Sequence, residues 1–66
     1  MFIIQAPSGY RLGYLCLLGE GTTEESAWAD AYGPNWKTEA KKAIKRSGAF
    51  CSEVTYEEWE ELKYNQ

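Results

Sequence analysis

Thr22-Thr23-Glu24-Glu25, continued by Ser26-Ala27-Trp28-Ala29-Asp30-Ala31-Tyr32 and closed by Gly33-Pro34, is the stretch that organises the chain. Its first four residues have the spacing of a capping box. The Thr22 hydroxyl is placed to accept the Glu25 amide, and the Glu25 carboxylate to reach back to the Thr22 amide. The two acids also suit the positive end of a helix dipole. Ala27, Trp28, Ala31 and Tyr32 then make an apolar stripe at helical spacing. A glycine followed by a proline stops the run, because proline cannot continue a helix. A helix over 23–32 is expected.

Working back toward the N-terminus, Gly19-Glu20-Gly21 reads as a strand exit. It is no phosphate loop, since it carries an acid where phosphate would sit and lacks a Lys-Ser/Thr end. Before it, Tyr10 to Leu18 alternates with period two. Tyr10, Leu12, Tyr14, Cys16 and Leu18 share one face, and Arg11, Gly13, Leu15 and Leu17 the other, which predicts a strand. Phe2-Ile3-Ile4-Gln5-Ala6 predicts another, and Pro7-Ser8-Gly9 has the chemistry of the turn between them.

Toward the C-terminus, Trp36, Ala40, Ala43 and Ile44 mark a second helix from about Asn35, a plausible N-cap, to Ser47, with Gly48 just past its end. Ala49 to Val54 predicts a third strand of uncertain inward face. Thr55-Tyr56-Glu57-Glu58 repeats the capping-box pattern and opens a last helix to about Tyr64. The order β-β-α-α-β-α over a single domain, 1–66, predicts a small two-layer α+β sandwich. Its three-stranded sheet is expected to be mostly antiparallel, with the third strand beside the first and the helices packed on one face.

A chain of 66 residues is near the lower limit for folding on a hydrophobic core alone. The three tryptophans and two phenylalanines are therefore expected to go mostly to the core. With 15% aromatic residues the chain is no disordered linker. No basic n-region precedes Met1-Phe2-Ile3-Ile4, and the apolar run Tyr14 to Leu18 is far below the roughly 20 residues of a membrane span. A soluble, cytoplasmic protein with no membrane partner is expected.

Chemistry is limited first by inventory. Histidine is absent, which removes histidine triads, histidine metal ligands and histidine pH switches. Cys16 and Cys51 lack a zinc-site spacing and are expected as small buried apolar residues. No catalytic residue, metal or cofactor is expected, and the chain is read as non-enzymatic.

Seven Lys and Arg against ten Asp and Glu give a net charge of −3, but the signs are segregated. Lys37, Lys41 and Lys45 form one i, i+4 row on the second helix, and Lys42 and Arg46 the next. They make either an anion- or nucleic-acid-contacting face or an ordinary solvated one, with Lys45 and Arg46 complementing the dipole. Acids gather around the last helix at Glu53, Glu57, Glu58, Glu60 and Glu61. Tyr10, Tyr14 and Phe50 fall on expected strands, where an uncovered face would suit a protein interface.

The function expected is a small protein–protein interaction module. An accessory factor or inhibitor that occludes a larger protein, encoded by a virus or mobile element, would suit its size. The candidate contact residues are Tyr10, Tyr14, Glu57 and Glu61. The alternative is a nucleic-acid-contacting module using Lys37, Lys41, Lys42, Lys45 and Arg46. A homodimer through the edge strand 49–54 is a further expectation.

Overall fold

The computed structural model describes residues 1–9 and 13–64. The expected element order is present: β1 (Phe2–Pro7), β2 (Leu15–Gly21), α1 (Glu24–Tyr32), α2 (Trp36–Ser47), β3 (Phe50–Glu53) and α3 (Tyr56–Tyr64). The strands form one antiparallel sheet in the order β2-β1-β3, so the third strand does lie beside the first. This is a small α+β fold.

The second strand lies further along the chain than its alternation suggested. It begins at Leu15 and runs through Gly19-Glu20-Gly21, the segment read as its exit. Tyr14 sits in the loop before it, where its carbonyl accepts the Ser8 N–H at 2.8 Å. Tyr10, Arg11 and Leu12 fall outside the described residues.

The two glycines belong in the strand because α1 lies directly on them. A Cβ at Gly19 would stand 2.6 Å from the Ala31 nitrogen and 2.7 Å from the Ala27 carbonyl oxygen, and one at Gly21 would meet Ser26 and Ala27. Only a strand without side chains here admits a helix whose own contact residues are alanines. The alternation also changes phase. The register shifts between Ile4 and Gln5, so that Ile4 faces Gly19 while Gln5 faces Leu17. This bulge at Leu18 puts Cys16 and Gly19 on one face of the sheet and Leu15 and Leu17 on the other.

The first capping box is displaced by one residue. Thr23, rather than Thr22, caps α1: its hydroxyl accepts the Ser26 amide at 3.1 Å, and the Ser26 hydroxyl accepts the Thr23 amide at 3.0 Å. Continuing β2 to Gly21 leaves Thr23 as the residue in extended backbone at the helix start. Asn35 precedes α2 without a side-chain cap bond, and Gly48 ends that helix in the left-handed conformation. The third strand is shorter than expected, at Phe50–Glu53. The last box is as read: the Thr55 amide donates to Glu58 Oε1, and the Glu58 amide to Thr55 Oγ1, each at 3.1 Å.

The core is thin. Its two largest fully buried side chains are Ile3 and Ile4, adjacent on the middle strand and therefore on opposite faces. Ile4 lies on the face that meets α1, beside Gly19 and Cys51. Ile3, at 0% exposure, shows that the opposite face is also covered at the centre of β1. Most aromatics stay outside. Trp59 of α3 is the one buried aromatic among the described residues, while Trp28, Trp36 and Phe2 are half-buried and Phe50 is exposed.

The two sheet edges differ. Met1 and Val54 exchange backbone hydrogen bonds, so by antiparallel alternation Cys51 and Glu53 of β3 turn their N–H and C=O groups away from β1. On the other border, Glu20 turns outward from β2, and its amide donates to Asp30 Oδ2 of α1 at 3.0 Å.

Candidate protein-binding surface

α3 has one inward row and two outward ones. Inward, Trp59 is 9% exposed, and Leu62 beside it is half-buried. The Tyr56 ring meets the Trp59 ring at 5.1 Å between centroids, tilted by 52°, and Lys63 Nζ lies 4.6 Å from the Trp59 centroid. Outward, Tyr56, Glu60 and Tyr64 follow at intervals of four and so stack on one side of the helix. Glu57 and Glu61 form the neighbouring row, both exposed. The tyrosines are 61% and 87% exposed. Together Tyr56, Trp59, Glu60, Lys63 and Tyr64 line a shallow groove.

The cap that starts this helix is ionisable. Hydrogen bonds from the Thr55 amide and hydroxyl hold the Glu58 carboxyl below its ordinary range. α1 has no such group in its cap.

A second exposed apolar region lies on the sheet face turned away from α1. Gln5 is paired on one side with Leu17 and on the other with Phe50, and Pro7 is paired with Leu15. These residues share that face, with Leu15 and Phe50 exposed at 44% and 38%. Tyr14, also exposed, precedes it in the loop. Of the expected contact residues, then, Glu57 and Glu61 stand together on α3, Tyr14 is in the chain's first loop, and Tyr10 is outside the described residues.

The basic residues of α2 are all exposed. Lys37 Nζ sits 5.8 Å from the Trp36 ring centroid, and Lys42 makes a long ion pair with Glu39 at 3.9 Å. Lys41, Lys42, Lys45 and Arg46 lie on the half of the helix opposite buried Ala40, and Lys37 lies nearer the Ala40 side. Lys42 and Arg46 also border a groove with Tyr32 and Glu39.

The cysteines are half-buried thiols rather than core residues. Burial, with a smaller contribution from Glu24, pushes the Cys51 thiol up, which disfavours the nucleophilic thiolate. Cys16 and Cys51 lie on opposite edge strands two residues out of register. Strand spacing and rise place their Cα atoms on the order of 12 Å apart, too far for a disulfide. Among the described residues no group of three His, Cys, Asp or Glu could hold a metal ion, and no helix is long and apolar enough to cross a membrane.

The Tyr56-Glu60-Tyr64 row escapes a sequence reading that sends the aromatics of so short a chain to the core, whereas Phe50 of the Leu15–Phe50 face is among the aromatics expected on strands with an uncovered face. The i, i+4, i+8 spacing of Tyr56, Glu60 and Tyr64, one row away from buried Trp59, was the available signal.

No protein-family model, curated protein or solved structure matches this chain.

Proposed function

We propose that this chain is a non-enzymatic protein–protein interaction module that engages a larger protein through the outward rows of α3. The observation supporting it is the exposure of Tyr56 and Tyr64 beside Glu57, Glu60 and Glu61. A chain short of core material leaves two large aromatics in solvent on one short helix. Tyrosine is favoured where a surface is later covered by another protein, since it combines a large apolar area with a polar tip.

The test is capture of partner protein by the tagged chain and by its Tyr56→Ala/Tyr64→Ala variant, with and without nuclease. A stoichiometric protein that survives nuclease and is lost with the folded variant supports the reading. Equal recovery by the variant overturns it.

A second reading rests on α2. Lys37, Lys41, Lys42, Lys45 and Arg46 are exposed, with one long ion pair among them in the described residues. A nucleic-acid contact there predicts binding that weakens steeply with salt, and a uniform loss when Lys41 and Lys45 become alanine. Absence of binding at low salt removes it.

A further inference from the structure

We propose that the outward face of α3 recognises arginine side chains, so that the partner segment docking there is an arginine-bearing polypeptide; this rests on the interaction reading above and names the chemistry of its partner. Glu60 lies one helical turn from Tyr56 and one from Tyr64. Glu60 and both exposed tyrosines line one groove, together with Trp59 and Lys63, and the Cβ atoms of Tyr56 and Tyr64 stand about 6 Å from that of Glu60. Glu57 and Glu61 extend the negative charge along the adjacent row. The cation of this helix, Lys63, is held over the Trp59 ring. The ion pair found among the described residues is on α2, and no described Lys or Arg is paired with an α3 glutamate.

A guanidinium fits that groove better than an ammonium does. Its planar fork meets a carboxylate through two parallel hydrogen bonds. Its faces stack on aromatic rings, and it sheds water more readily than the compact ammonium of lysine. The second carboxylate row offers further arginines a place one turn along, which favours a polypeptide segment over a single free arginine. Nucleic acid is a poor occupant, because its phosphates would face four glutamates at 57, 58, 60 and 61 against one lysine.

The test is a calorimetric and NMR titration of the full chain with two peptides identical except that every arginine in one is lysine in the other. The arginine peptide is expected to bind about tenfold more tightly, the worth of one stacked, bidentate contact. Amide shifts should be confined to α3, and Glu60→Gln and Tyr64→Ala should each weaken binding about tenfold with helicity unchanged. Equal affinity for both peptides, or indifference to either substitution, overturns the arginine assignment. Should that occur while Tyr56→Ala/Tyr64→Ala still abolishes capture of a protein partner, the interaction reading stands and only the assignment of arginine falls.

Discussion

α1 and α3 are both nine residues long, and both begin with a threonine in a reciprocal capping box. They differ in what closes the box and in what holds the helix down. α1 is closed by the Ser26 hydroxyl and lies with Ala27 and Ala31 against the glycines of β2. α3 is closed by the Glu58 carboxylate, and its buried residue is a single tryptophan. A helix seated on glycines is specified by the absence of side chains and tolerates no addition. One held by a single indole leaves its other faces free to carry exposed aromatic and charged groups, and these are the faces proposed as the docking surface.

The comparison breaks most sharply at Trp59. Trp59→Ala is expected to cost about 3–5 kcal/mol, comparable with the whole stability of a domain this small. Urea denaturation followed by circular dichroism measures it. A loss below about 1 kcal/mol would show that α3 has other anchors. Next comes Gly19→Ala, which forces a methyl group into the Ala27 and Ala31 backbone at 2.6–2.7 Å and should cost about 1–3 kcal/mol. Hydrogen exchange should show the damage in α1 and β2, with α3 amides spared relative to them.

The caps separate the helices more finely. Thr23→Ala and Thr55→Ala should each cost about 1 kcal/mol in thermal unfolding. Acid should distinguish the two. The folded-state value for Glu58 is lowered, so its contribution is present above the unfolded-state value and is lost as pH falls through the folded one. Protection from amide exchange at the start of α3, taken relative to the intrinsic rate at each pH, should therefore fall on acidification while that at the start of α1, with no ionisable group closing its box, does not follow. A common acid response would erase the distinction. Smallest of all, Glu57→Gln and Glu61→Gln should leave stability within about 0.5 kcal/mol while weakening capture of a protein partner.

What sequence could show of this molecule was the local chemistry. Thr55 and Glu58 are spaced for a box and form one, and of the stripe expected on α2, Trp36, Ala40 and Ala43 turn inward while Ile44 is 50% exposed. What it could not show depends on distant partners. Gly19 and Gly21 read as the end of a strand because glycine has low strand preference by itself, and only the close approach of α1 makes them strand residues. The split of Cys16 from Leu15 and Leu17 follows the alternation, but the bulge at Leu18 puts Gly19 on the Cys16 face, which strict alternation from Cys16 does not give. Thr22 and Thr23 are equivalent by type, and where β2 ends decided between them. For the surface, Glu57 and Glu61 were legible as an exposed pair. The exposure of Tyr56 and Tyr64 was not, because burial is a property of the finished fold.

The contact from the Glu20 amide to Asp30 has a consequence for how copies of this chain could join. A strand arriving at β2 would have to evict a carboxylate that already accepts the outward amide, whereas β3 presents Cys51 and Glu53 with no such plug described. Lateral pairing is therefore obstructed at Glu20 on the β2 border, which biases any joining of copies toward the β3 edge.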